Sequence, residues 1–392
     1  MSLLNFWIKS RKQLEGKRVQ QIIGIAGSGK LQDGEVASVE FRDFLAHVPS
    51  GLLSRYAGQC LADKFEGSGL ALQDVVNQIG RRLGFEVEDG RYRGTVGQVG
   101  HDGLWKSLLG NTIIVEVKTT DAFRIDLDTI AEYRHKLVQE GKIEGNKCSV
   151  LVVVGRQDTG DLEAQIRGSR HAWDFRLVSV DALIRLMTLK ENVEDPQILK
   201  KIAGVLVPQE FTRVDGIIDL VFSAAEEIRQ DIKEPVEEEP AVEEKRQRTP
   251  QFVPVDFHGA CIDRIQTFLD RPLVKQTRAT FSSPDGSLLV VCAVSRIHMR
   301  GESESYWYAF HPHQREKLEA AKLGYVAYGC GSERTVLLIP FKEFRRWLEG
   351  MWITKLDDRF YWHVSVRQDG GKLVLKRKKG FERIDLSKYL IT

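Results

Sequence analysis

The sequence predicts an α/β protein in two domains: a mixed sheet flanked by helices, then a second, smaller α/β domain after an acidic linker. Two observations carry this. Apolar runs of strand length alternate with stretches of helical periodicity through the first 225 or so residues, the pattern of a sheet with helices packed on it. Residues 226–254, EEIRQDIKEPVEEEPAVEEKRQRTPQFVP, are acidic, hold four prolines and show no apolar periodicity. Such a segment has too few apolar groups to offset the entropy of ordering its backbone. The expected organisation is a helical extension over 1–65, a catalytic-type domain over 66–225, the linker, and a C-terminal domain over 255–392.

Each element follows from its residues. Residues 38–63 read as two helical pieces broken at Pro49, which has no amide to donate. GLALQDVVNQIGRRL, 69–83, places Leu72, Val75, Val76, Ile79 and Leu83 on one helical face, and Gly84 is the expected stop. FEVEDGRYRG reads as a strand or hairpin turning at Asp89-Gly90, and GHDGLW as a short segment around a turn. NTIIVEVKTT is a strand, IDLDTIAEYRHKLVQEG a helix ending at Gly141, and CSVLVVVG a strand covered on both faces. A helix near 161–172 and the segment RLVSVDALIRLM complete the unit.

Composition sets bounds. The 392 residues are 42% hydrophobic and 29% charged with a net charge of +2, so a nucleic-acid partner cannot be argued from overall charge. No run approaches the roughly 18 apolar residues of a membrane helix, and the N-terminal segment lacks a signal-type cleavage site. Cys60, Cys148, Cys261, Cys292 and Cys330 are scattered and form no C-x-x-C pair. A reduced, cytoplasmic protein without a membrane partner is expected.

The chemistry concentrates around Asp102. It lies in the turn His101-Asp102-Gly103, and 14 residues later Glu116 and Lys118 alternate with Val115 and Val117 along one strand. Period-two geometry puts Glu116 and Lys118 on the same face. In a strand flanked by helices, two charges on one face call for a reason. A pair of carboxylates is an oxygen site for Mg²⁺ (or Mn²⁺), which takes one or two protein carboxylates and completes its shell with water. Such an ion lowers the pKa of a coordinated water and offsets charge building on a phosphate. Lys118 would orient the attacking water or neutralise the phosphoryl oxygens.

His101-Asp102-Gly103 and Glu116-Val117-Lys118 together resemble the PD-(D/E)xK nuclease superfamily, over about residues 66–187. The resemblance implies a restriction-endonuclease-like mixed sheet, Asp102 and Glu116 as ligands of Mg²⁺, and Lys118 as the catalytic lysine. Relatives often carry a further acid on the preceding helix. Here Gln73 stands at that place, with Asp74 beside it, and either would complete the metal shell. His101 replaces the name-giving proline. Tyr133 stands where some relatives have the tyrosine of a Q-x-x-x-Y motif, but Thr129 occupies the glutamine position, so Tyr133 is expected to pack. Thr119 and Thr120 could touch phosphate or simply end the strand.

Other signals weigh less. Gly24 to Lys30 matches seven positions of a phosphate-binding loop, but Leu31 replaces the hydroxyl residue and no helix opens there. His311-Pro312-His313 has no acidic companion and is expected to pack in an aromatic loop. The C-terminal domain has strand-like runs SLLVVCAVSR, YWYAF, GYVAYGCG and TVLLIPF, and helical AFHPHQREKLEAAKLG and FKEFRRWLEGM. Its aromatics Tyr306, Trp307, Tyr308, Trp347, Trp352, Tyr361 and Trp362 accompany a tail, KLVLKRKKGFERIDLSK, with seven Lys or Arg in 17 residues. That mixture fits either a base-stacking, backbone-gripping surface or an aromatic core under a solvated strand. The expected protein is thus a metal-dependent endonuclease of DNA, RNA being left open, with a role in restriction or defence. Double-strand cleavage would favour a homodimer. The other reading is a non-catalytic nucleic-acid-binding or assembly protein on a decayed nuclease fold.

Overall fold

The computed structural model describes residues 2–63, 65–93, 100–108, 110–119, 125–155, 159–207, 257–300, 303–355 and 360–391. The chain divides into two compact units, Met1–Ala224 and Ala225–Thr392. The expected acidic linker, 226–254, lies outside the described residues.

The first unit opens with α1 (Leu3–Glu15), α2 (Val19–Ile25), α3 (Val36–His47), α4 (Ser50–Ala62) and α5 (Ser68–Leu83). The break between α3 and α4 falls at Pro49, which serves as the extended N-cap of α4. Gly84 ends α5 in the left-handed conformation at φ 98°, donating its amide to the Arg81 carbonyl, a conformation glycine adopts without steric cost. The strands β1 (Glu86–Asp89), β2 (Gly103–Lys106) and β3 (Thr112–Lys118) form an antiparallel meander. After α6 (Leu127–Gln139), β4 (Cys148–Val154) joins β3 in parallel. After α7 (Gly160–Arg167), β5 (Phe175–Ser179) joins β4 in parallel, and α8 (Val180–Glu191) and α9 (Pro196–Gly204) are the last described elements of the unit. The result is a five-stranded mixed sheet in the order β1-β2-β3-β4-β5.

Both faces of that sheet are covered. Ile113, Val115, Leu151 and Val153 pack into one core with Leu72, Val75, Val76 and Leu183. Leu104, Ile114, Val150 and Val152 pack into another with Ile130, Leu137 and Leu162. β4 is buried at all seven positions, as its unbroken apolar run requires.

Helix α5 departs from the sequence reading. It was expected to be amphipathic, yet Gln73, Asp74, Asn77, Gln78 and Arg82 are buried as well as its apolar face. The helix is central, packed against α3, α4, α8 and the sheet. Buried polar groups need partners, and Gln73, Asp74, Asn77 and Arg82 find them: Arg82, for example, donates to the carbonyls of Ala46 (3.2 Å) and Val48 (2.8 Å) at the end of α3. Gly80 makes the close approach to the sheet feasible, since a Cβ there would stand 2.5 Å from the Trp105 ring.

Among the described residues, the second unit begins with α10 (His258–Leu269) and carries two sheets. One is mixed and ordered β17-β12-β11-β8-β7-β6, built on the parallel pair β8 (Leu288–Ser295) and β11 (Leu323–Cys330), with β12 (Val336–Pro340) antiparallel to β11. The remaining members are β6 (Val274–Lys275), β7 (Thr280–Ser282) and β17 (Leu390–Ile391). The other sheet is antiparallel and pairs β9 (His298–Arg300), β10 (Ser303–Phe310), β14 (Phe360–Asp369), β15 (Lys372–Lys376) and β16 (Ile384–Asp385), with β13 (Ile353–Lys355) also on β14. The chain is therefore mixed α/β in both units. Among the described residues no helix is long and apolar enough to cross a membrane, and all five cysteines are buried free thiols.

Candidate active site

The turn before β2 and the last residues of β3 come together at one end of the sheet. The β2–β3 ladder ends where Asp102 donates its amide to the Val115 carbonyl at 3.0 Å. The next amide on β3, that of Val117, donates instead to Asp102 Oδ2 at 2.6 Å. A side-chain oxygen thus takes a ladder position, which fixes the carboxylate beside Glu116. Asp102 Oδ1 carries no hydrogen bond from the described residues.

The main chain of Asp102 is held from behind. Its carbonyl accepts from Gln73 Nε2 at 3.1 Å, Asn77 Nδ2 at 2.8 Å and the Gly90 amide at 3.0 Å. Asn77 also accepts from the buried indole Nε1 of Trp105 at 2.9 Å. Two glycines leave room for this crossing. A Cβ on Gly90 would stand 1.9 Å from the His101 carbonyl oxygen, and one on Gly103 2.2 Å from Asn77 Oδ1.

Electrostatics mark the same spot. Burial pushes the Asp102 carboxyl up to about 7, helped by the neighbouring charge of Glu116 and opposed by the Val117 amide and Lys118. Lys118 Nζ lies 2.5 Å from Glu116 Oε1. Burial works against the lysine's charge, but Glu116 and Asp102 outweigh it, and its pKa is raised. Asp102, Glu116 and Lys118 are therefore in mutual electrostatic reach, with the negative charges in excess.

The other expected site residues fall as follows. Gln73 supports the Asp102 turn through its amide nitrogen. Asp74 is committed elsewhere: Arg42 Nε donates to its Oδ1 at 2.8 Å and the Tyr92 hydroxyl donates to Oδ2. Burial pushes its carboxyl up to about 6 despite Arg42. Arg42 and Tyr92 thus engage both oxygens of Asp74, which ties the segment after β1 to α5. Thr119 follows β3 beside Gly69 of α5, and Thr120 lies outside the described residues. Tyr133, expected to pack, lies beside the site: it acts electrostatically on Lys118, and its hydroxyl is 3.6 Å from the position of a Cβ on Gly100. Asn77 was passed over entirely in the sequence. The loop Gly24–Lys30 follows a helix, and α3 opens only at Val36. Its Gly27 amide donates to Glu40 Oε2 at 3.2 Å, so a carboxylate already holds the place a phosphate would need.

The donor set fits a hard divalent cation. Burial first, and then the charge of Glu116, raise the Asp102 carboxyl, and a cation beside the two carboxylates would favour its ionised form. Among the described residues no three His, Cys, Asp or Glu side chains converge as a metal cluster. An ion here would take two protein carboxylates and draw its remaining ligands from water or substrate, as Mg²⁺ does.

No protein-family model matches the chain, and no curated protein is significantly similar to it.

Proposed function

We propose that the first unit is a metal-dependent nuclease of restriction-endonuclease-like type that hydrolyses phosphodiester bonds of DNA, acting in the cytoplasm in restriction or defence. One observation carries the reading: Asp102, in the turn before β2, lies in electrostatic reach of Glu116 and Lys118 on β3, and the Asp102 carboxylate is pinned by the Val117 amide at 2.6 Å. Asp102 and Glu116 would hold Mg²⁺ or Mn²⁺, which when bound offsets charge building on the phosphate and eases ionisation of water. Lys118 then has two tasks, orienting the attacking water and donating to a phosphoryl oxygen, and its raised pKa keeps it protonated for both. Gln73, Asn77 and Gly90 keep the Asp102 turn in one conformation, so little reorganisation is needed when the ion and the phosphate arrive. A homodimer would let two such sites address the two strands of a duplex.

The test is incubation of the full-length protein with end-labelled single-stranded, double-stranded and branched DNA, in Mg²⁺ or in excess chelator. Cleavage is expected with the ion and not in chelator. Lys118→Ala should cut at least about 100-fold more slowly while its DNA affinity changes little, because phosphate binding is spread over many basic groups. Cleavage in excess chelator, or none of any substrate with Mg²⁺, overturns the proposal.

A further inference from the structure

The antiparallel sheet of the second unit buries one of its faces more deeply than the other, whose residues on β10 and β14 are mostly half-buried. Tyr306, Tyr308 and Phe310 of β10 and Val364 and Val366 of β14 point into the core. Alternation then places Trp307 on the opposite face with its cross-strand neighbour Ser365, and Ser365 with its own neighbour Lys376. Tyr361, His363 and Arg367 share that face along β14. The dense aromatics of this region thus divide in two, and only some belong to the core.

The rings on the open face form a connected row. Trp307 meets Tyr361 with ring centroids 6.1 Å apart and His363 at 5.6 Å, both edge to face. His311 continues the row at 5.7 Å from Tyr361. Hydrogen bonds fix the rings. Trp307 Nε1 donates to His363 Nδ1 at 3.1 Å, so that nitrogen is unprotonated and the His363 proton sits on Nε2, which donates to Thr354 Oγ1 at 2.7 Å. Burial lowers the His363 pKa, which keeps this tautomer neutral. All these rings are half-buried, so each retains surface open to solvent.

The charges on the face are complementary to phosphate. Arg367 lies four residues beyond His363 on β14, about 13 Å away at strand spacing, and Lys376 lies one strand over from Ser365. The carboxylates that the described strands place on this face, Asp369 two residues beyond Arg367 and Asp385 in the same cross-strand row as Arg367, are paired with Arg383 (3.0 Å) and Lys372 (2.9 Å).

We propose that this sheet face binds single-stranded nucleic acid, its bases stacking on Tyr361 and Trp307 and its backbone running past Arg367 and Lys376. Single strands fit and duplexes do not, because the faces of paired bases are already covered by their neighbours, whereas unpaired bases offer them to aromatic rings. A flat sheet face also does not enter the major groove as a helix or two-stranded ribbon does. In the setting of the proposed nuclease, the second unit would hold an unpaired strand. The surface itself stands on its own residues, and its test needs no cleavage.

The experiment measures fluorescence anisotropy of a labelled 12-nucleotide single strand, and of the matching duplex, with the full-length protein in excess chelator. The single strand should bind more tightly than the duplex. Tyr361→Ala should weaken it about 5- to 100-fold, the loss of one stacked base, and Tyr361→Phe should retain binding. Replacing Arg367 and Lys376 by Ala together should lower the salt slope by about 1.4, at roughly 0.7 per phosphate contact on a single strand. Ser365→Glu removes no ring and introduces a charge repelling phosphate. It should weaken binding even if Tyr361→Ala fails to fold. Duplex preference, no single-strand binding, or unaltered binding by folded Ser365→Glu overturns the proposal. Cleavage in Mg²⁺ by the same samples reports on the nuclease separately.

Discussion

Asn77 offers the sharpest test of how the candidate site is held. Its amide donates to the Asp102 carbonyl at 2.8 Å and accepts from Trp105 Nε1 at 2.9 Å, in a wholly buried position. Asn77→Ala leaves the indole N–H without a partner, which costs about 1–3 kcal/mol for a buried donor. It also removes one of three donors from the Asp102 carbonyl, worth about 0.5–1.5 kcal/mol. Together they destabilise the first unit by about 1.5–4.5 kcal/mol, equivalent to a roughly 10- to 2000-fold fall in amide protection where exchange follows unfolding. Hydrogen exchange read by peptide mass spectrometry follows β2 and β3 separately from the second unit. Gln73→Ala removes a single donor from a carbonyl that keeps two, and should cost about 1 kcal/mol. A change below about 0.5 kcal/mol in Asn77→Ala, or an equal loss in Gln73→Ala, would refute the reasoning.

Two further predictions use other parts of the first unit. Gly90→Ala should disrupt the Asp102 turn, because a Cβ would meet the His101 carbonyl at 1.9 Å; Gly58→Ala inside α4, where a Cβ meets nothing within 4 Å, should stabilise by up to about 1 kcal/mol. Thermal unfolding of both variants checks the opposite signs. The raised pKa of Asp74 predicts a pH effect: between about 4 and about 6 the folded chain keeps a proton that the unfolded chain has lost, so its contribution is fully present below pH 4 and disappears as pH rises through 6. Two pKa units correspond to about 3 kcal/mol. Urea midpoints across this window should therefore vary less with pH in Asp74→Asn than in the wild type; an equal slope in the two proteins contradicts the assignment.

Much of the first unit was legible in the sequence because its strands and helices follow simple periods. The Pro49 break, the Gly84 stop and the apolar run of β4 each rest on a local rule that tertiary packing did not override. Helix α5 shows where such rules stop. Periodicity sends Gln73, Asp74, Asn77 and Arg82 to solvent, but a helix packed on several sides buries its polar residues too. Their partners are 18 to 36 residues away in sequence, at Asp102, Tyr92, Arg42 and Ala46. No local pattern encodes those pairings, so Asn77 carried no signal and neither did the contacts of Asp74 with Arg42 and Tyr92. Alternation in Glu116-Val117-Lys118 did indicate a shared face, because a strand's period is short and robust. The aromatics of the second unit posed the reverse difficulty. Composition could not separate Tyr306 and Tyr308, which are core, from Trp307 and Tyr361, which line the open face; only strand register does so.

The central claim is that Asp102 and Glu116 form one divalent-ion site. Titration of Mn²⁺ into the full-length protein, followed by calorimetry and by the electron paramagnetic resonance of the free ion, tests it without substrate. The account predicts saturable binding in the wild type, lost or weakened at least about tenfold in both Asp102→Asn and Glu116→Gln, and retained in Asp74→Asn. Absence of binding, or binding unchanged by either of the first two substitutions, would contradict it.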